Sequence, residues 1–567
     1  MKTNIMKKIK YLSAFAFVVA ASLTGCGDPL LDDLDPNIEV GSGDVSMAES
    51  YEQAAGMFLT AQQKLHDVGN TGGPHVYQYQ FNLHIDNYAG YMASTQNFDG
   101  KLPSTYRYFA DFCDGPKFSF FNVAQATLPV MRAANKLDLR ELGAMCNVMY
   151  CFSALELSDI YGPFPWTDYK NDVQEPPVTY EPMDLIYDSL FVNLKDAGKI
   201  LKEFTEKSKE HQDTINTILA KYDKICGDVK TWEQFANSIR LRMAMRMSNV
   251  NPERAKAEAQ SAIDDGLIEK NIEYNTMVNN GTNHPLAFIS ILWNDTRMNA
   301  SLENIMKRLK VPFLEKIFLK NNDDIRDING DISLQREKEY VGIRSGISLS
   351  PRDDNNQYTK FSGLSSAFAN FPLAIFRLSE RYFLQAEAAL RWDIGTVSIN
   401  YTKGCAAMFK DYNIEQADDE FKQYMRLESA DASIDYVDPH DSFNNAKGLI
   451  TVGVKLNNND DPKVKLEKII TQKWLAQFPM GLEAWNDLRR TGYPRIFPVN
   501  DIGDGSLGDG SMIRRIPWNM TDAAAAQDVN ASGLEALGGP NLMRTTLWWD
   551  IKDPAGLGDN RRWENGN

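Results

Sequence analysis

From residue 47 onward, apolar side chains recur at steps of three and four. In 47–67, Tyr51, Ala54, Ala55, Phe58, Leu59 and Leu65 line one face of a 3.6-residue helix, with Gln62 on the same stripe. The period returns at 119–136, 140–160, 183–203, 231–248, 252–265, 373–392, 396–411 and 464–478, whereas the two-residue alternation of a half-buried strand is sparse. The pattern predicts a mostly α protein whose helices are separated by long irregular loops. A chain of 567 residues can bury a sizeable core as one large domain or two closely merged ones. Hydrophobic residues at 43 % and aromatics at 11 % exclude a disordered chain.

Several helices come in antiparallel pairs. Trp232, Phe235, Ile239, Met243 and Met247 form one stripe, and Asn251 is placed to cap a second helix that opens on Pro252, where a missing amide is tolerated. The stretch 377–413 repeats the design: Ala386, Glu387 and Ala388 allow close approach, Gly395 breaks the helix, and Ala406 and Phe409 mark its partner. These pairs resemble tetratricopeptide units. The expected architecture is therefore a tetratricopeptide-like helical-hairpin scaffold, with long irregular loops forming a second, ligand-binding face. Segments 68–118, 270–300, 321–372, 412–463 and 495–567 lack helical period and are too long for mere connectors, so they are expected to carry a site or its walls.

The start of the chain has its own logic. Lys2, Lys7, Lys8 and Lys10 precede an uncharged stretch, Tyr11 to Gly25, which has the length of a signal-peptide core and is too short to span a bilayer. Leu23-Thr24-Gly25-Cys26 resembles the bacterial lipobox, which implies cleavage before Cys26 and acylation of its thiol. Each buried methylene contributes about 0.8 kcal/mol, so two or three acyl chains hold a protein on a membrane where one is marginal. Residues 1–25 are thus expected to be a lipoprotein signal peptide, 26–46 an acidic lipidated tether and 47–567 the folded domain. Acidic residues soon after Cys26 resemble the surface-export signal of Bacteroidota lipoproteins, which favours the outer face of the outer membrane.

A net charge of −16 argues against nucleic acid, which needs a basic surface. Cys113, Cys146, Cys151, Cys226 and Cys405 are an odd set at irregular spacings, read as buried thiols rather than a disulfide framework. The six histidines contain no HExxH motif, and the Asn/Asp-rich 457–463 and Gly/Asp-rich 501–511 lack EF-hand spacing. No metal or cofactor is expected.

The order of blocks along the chain resembles the SusD/RagB family. They are the lipobox; "ALELSDIYGPFPWTDY" at 154–169; "YEPMDLIYDSLFVNL" at 180–194; "WEQFANSIRLRMAMRMSNV" at 232–250; "LSERYFLQAEAALRW" at 378–392; "KIITQKWLAQFPMGLEAWNDLRRTGYP" at 468–494; and "RRIPWN" at 514–519 followed by "LWWD". The resemblance implies a lipoprotein that captures a nutrient, chiefly an oligosaccharide, beside a SusC-like TonB-dependent transporter. Within "EAWNDLRRTGYP", Glu483 and Asp487 lie one turn apart and repel unless a cation such as Arg489 or Arg490 is held against them, so the block reads as an ion-pair network at a helix end.

A glycan needs flat aromatic faces and polar groups that fix its hydroxyls. Loop 80–100 offers Asp86, Tyr88 and Tyr91; loop 284–301 offers Trp293, Asn294 and Arg297; stretch 340–361 offers Tyr340 and Tyr358. Trp293 is the leading choice, because it sits among polar neighbours in a segment with little helical period. No catalytic residue is assigned. The rival readings are a surface-anchored glycoside hydrolase, which needs two carboxylates about 5 to 10 Å apart, a peptide- or glycopeptide-binding member of the same family, and a purely structural lipoprotein.

Overall fold

A computed structural model describes residues 47–66, 73–98, 107–173, 175–274, 284–347, 349, 355–499, 507 and 512–562. The signal peptide, Cys26, the tether and nearly all of 501–511 lie outside them. The scaffold helices are α1 (Tyr51–Lys64), α2 (Gly115–Ala133), α3 (Arg140–Tyr161), α4 (Met183–Lys202), α5 (Lys209–Tyr222), α6 (Val229–Arg246), α7 (Pro252–Asp265), α8 (Ala300–Arg308), α9 (Leu378–Trp392), α10 (Val397–Lys410), α11 (Pro462–Gln477) and α12 (Gly481–Thr491). Helix α1 packs on α2, and α2 on α3. A ladder then runs from α3 through α4 to α6, with α6/α7 and α9/α10 as antiparallel hairpins and α11 across α9. The predicted helical-hairpin architecture is what the chain adopts.

Local chemistry sets the ends. Ser50 accepts from the Gln53 amide at the start of α1, Asp228 from Thr231 at α6, and Asn251 from Arg254 at α7, directly before Pro252. Helix α12 stops at Gly492, whose φ of +78° suits glycine, and a Cβ there would fall 2.3 Å from the Asp559 carbonyl oxygen.

Two boundaries differ from the periodicity, and two helices, α5 and α8, were not expected from it. Helix α2 opens at Gly115 rather than 119, because Pro116 occupies its first turn, where proline needs no amide partner. The helix expected from 373 begins at Leu378, since Ala374–Phe376 form strand β6, paired antiparallel with Ile272–Glu273 (β2). Helix α5 was hidden by its polarity: only Ile215, Ile218 and Leu219 are buried. The other short ladders join Met92–Ser94 (β1) to Thr296–Met298 (β3) and Ile325–Arg326 (β4) to Ile332–Leu334 (β5).

One cluster of buried apolar side chains runs from Ala48 to Trp549 and includes the fully buried Trp232, Trp474, Trp485 and Trp549. The five cysteines after Cys26 are free and buried. Threaded through this core is a chain of ions. Arg242 grips Glu380 with two bonds of 2.8 Å; Arg246 bonds Glu483 at 2.7 Å and lies 3.3 Å from Asp159; Lys473 lies 2.8 Å from Asp487. Arg490 donates to Glu387 at 2.5 and 2.7 Å and to Asp487 at 3.0 Å. Burial alone would raise the Glu387 pKa, yet Arg490 and Arg391 outweigh it and hold the carboxyl at about 2; Arg242 and Arg246 do the same for Glu483. The expected ion-pair network is present, with Arg490, Arg246 and Lys473 as its cations. Arg489 instead spends its donors on the carbonyls of Asp159 and Arg514, both 2.7 Å away, and lies over the Trp485 ring.

Candidate ligand-binding site

The three loops singled out from the sequence converge. Strands β1 and β3 pair Met92 with Met298, Ala93 with Arg297 and Ser94 with Thr296, which ties loop 80–100 to loop 284–301. The third stretch joins through the Asn299–Ile343 bridge and through Asn356, whose amide donates to the Thr95 carbonyl at 2.8 Å. Each of the first two loops enters through a short helical turn that widens into a π-turn: Gly73–Tyr77 into Gln78–Asn82, and Pro285–Ala287 into Phe288–Leu292. Such turns take an extra residue and often mark functional sites.

Trp293 follows the second π-turn, half-buried. Its ring lies 4.5 Å from that of exposed His75 and 6.4 Å from Phe288. Asn294, also half-buried, takes φ of +65°, a left-handed conformation asparagine tolerates, and turns the chain into β3. Beside it the Asp295 carboxylate accepts from Gln78 Nε2 at 3.1 Å and Gln96 Nε2 at 2.7 Å, while Thr95 Oγ1 donates to the Asn294 carbonyl at 2.7 Å. An aromatic face thus adjoins a carboxylate oriented by two amides. Exposed Tyr79, Ile291 and Leu292 complete the neighbourhood.

The other residues chosen from the sequence divide sharply. Tyr340 is half-buried, with Lys320 Nζ 5.8 Å from its ring centre. Asp86, Tyr88, Tyr91, Arg297 and Tyr358 are interior, so none offers a free face to a ligand. Tyr91 donates to the Trp474 carbonyl, and Tyr88 packs against Trp485 at 5.3 Å. Arg297 donates to the carbonyls of Ser290 at 2.8 Å, Thr296 at 2.9 Å and Thr359 at 2.6 Å; burial lowers its pKa to about 10. Tyr358 accepts from Asn444 at 3.1 Å. Asp86 accepts from Asn82 at 3.2 Å, and burial raises its carboxyl to about 7 despite that bond. These five are the frame that holds the loops. A sequence window registers their residue type and loop position, but not that the loops fold back on α11 and α12.

His75, Gln78, Gln96 and Tyr79 were missed. The only signal was their place in the non-periodic segment 68–118, shared by many residues there. Elsewhere, a groove of about 810 Å³ between α1 and α5 is lined by Tyr51, Tyr222, Lys209 and Asp213, the last two paired across one helical turn. Among the described residues no group of His, Cys, Asp and Glu forms a metal cluster, and no helix is long and apolar enough to cross a membrane.

A hairpin scaffold that clamps three irregular loops together, with ring faces left at the surface, is the architecture of a binding platform. The chain belongs to the SusD-like family of SusD and RagB outer membrane lipoproteins, whose model matches residues 38–550. It is similar in structure to a chitin-binding SusD homologue from Flavobacterium johnsoniae, at 28 % identity and a TM-score of 0.74 over 88 % of this chain and 99 % of that one. A SusD homologue from Bacteroides vulgatus matches at 25 % identity and 0.74 over 89 % and 99 %. A SusD-like protein from Bacteroides thetaiotaomicron matches at 25 % and 0.74 over 88 % and 99 %. No curated protein matches the sequence.

Proposed function

We propose that this protein is a cell-surface lipoprotein that captures a glycan at the Trp293 face and passes it to a SusC-like TonB-dependent transporter. The observation that carries this reading is the pairing of the Trp293 and His75 rings beside an Asp295 carboxylate held by Gln78 and Gln96. A sugar ring lays its C–H face on such rings, and its hydroxyls hydrogen-bond to polar groups that are already oriented beside them. The chitin-binding homologue supports a carbohydrate ligand. On this reading residues 1–25 are removed, acylated Cys26 anchors the acidic segment 26–46 to the outer membrane, and the folded part faces the exterior. The partner's TonB system supplies the energy of uptake.

Capture without cleavage fits the carboxylates near the site. Asp295 is occupied by two amides, and Asp86 is sealed in the core with its carboxyl raised by burial. Calorimetric screening of glycans, paired with chromatography of the same mixtures, tests the reading. Binding without new products is expected; release of shorter glycans would establish the hydrolase instead.

A further inference from the structure

We propose that a chamber under the roots of the two paired loops is a water-binding site, whose waters bond to His284 and join those loops to the helical ladder. Elements meet there from both sides. The scaffold contributes Glu156 of α3, Arg242 of α6, Glu483 of α12 and His66 just past α1; the loops contribute Tyr77, before the first π-turn, and His284, before the second. Every wall residue is buried except half-buried Glu156 and Met480. About 30 Å³ is open to the centre of a water molecule, and one water needs about 10 to 15 Å³ by that measure, so the chamber takes one or two.

The His284 ring is what calls for them. Its Nδ1 accepts from the Leu286 amide at 3.2 Å, and its own backbone amide donates to the Ala369 carbonyl at 2.8 Å, so ring and main chain are both fixed. The rings of Tyr77 and Phe368, 5.7 and 5.1 Å away, hold it on its flanks. Burial, reinforced by nearby Arg377 and His66, lowers its pKa to about 3, which keeps the imidazole neutral with a single proton. Because Nδ1 accepts, that proton is assigned to Nε2. Yet Nε2 is fully buried and has no hydrogen-bond partner in the protein. Buried donors are nearly always paired, with protein or with ordered water. The charges on the wall select water over an ion: Arg242 and the Nε2 proton disfavour a cation, and the Glu156 and Glu483 carboxylates disfavour an anion. A water accepts from Nε2 and donates to the acceptors that the wall supplies.

The test is diffraction from crystals of the full chain, at a resolution that shows ordered water, with and without a bromide soak. Density for one or two waters within hydrogen-bonding distance of Nε2 is expected, unchanged by bromide. H284N retains an acceptor for the Leu286 amide but lacks Nε2, so it should lose or displace that density. In the same variant, amide exchange in loops 80–96 and 284–301 should rise about tenfold, while the α9/α10 hairpin stays at the wild-type rate. No density in the wild-type chamber, density bonded only to the carboxylates, or a peak that bromide replaces overturns the site. Density and exchange both unchanged in H284N overturn the part given to His284. None of these outcomes bears on capture at Trp293.

Discussion

Trp293 and Asp86 stand for two kinds of loop residue that a sequence cannot separate. Both lie among polar and aromatic neighbours in segments without helical period, yet one reaches solvent and the other is sealed. W293A should lower glycan affinity at least tenfold, about 1.4 kcal/mol, with little effect on the melting temperature. Asp86 gives a stability signature. Its pKa rises from 3.8 to about 7 because burial penalises the charged form, so the folded state holds a proton that the unfolded chain has released. The stability it contributes is complete below about pH 4 and is lost as pH rises through 7. In urea titrations the wild type should weaken between pH 4.5 and 7.5 relative to D86N, whose slope should be flatter; parallel slopes would count against the raised carboxyl.

At the scale of elements, the helices that the sequence announced are those whose apolar stripe faces the core, such as α1 and α6. Polar α5 escaped because only Ile215, Ile218 and Leu219 of its fourteen residues are buried, and α8 because nine residues are too few to establish a period. The loop site was legible in outline only: three segments could be named, and Trp293 chosen, from polarity and length. That β1 and β3 join them is decided by a three-residue ladder no window detects. Helix α12 carries the ion-pair chain expected from "EAWNDLRRTGYP". Removing one partner strands the other in a dry interior, so E387Q should cost roughly 3 to 5 kcal/mol in denaturant unfolding. Since the folded pKa of Glu387 and of Glu483 is depressed from 4.5 to about 2, their stabilisation is present above pH 4.5 and disappears as pH falls through 2. Acid unfolding followed by circular dichroism should begin in that window. G115A should lose roughly 1 to 3 kcal/mol by overpacking against the Tyr79 carbonyl and should also blunt ligand binding.

For the whole molecule, family and architecture were readable because the lipobox and six later blocks keep their order, and all of the later ones but 514–519 mark a helix or its end. The cargo was not, because it depends on which few rings the packed loops leave uncovered. C26S, expressed in its native host, should move the protein from the membrane fraction to a soluble one, as fractionation and immunoblotting would show. A variant that stays with the membrane would contradict an acyl anchor. The hydrogen bond from the Ala48 amide to the Pro129 carbonyl stitches the chain to α2 only three residues before α1 begins. Beyond that stitch, the main core packs beneath both the helical ladder and Trp293, while Tyr358 and Phe361 sit in a second, smaller cluster, so a cavity cut into the hairpins should be felt at the Trp293 loop before the stretch 340–361.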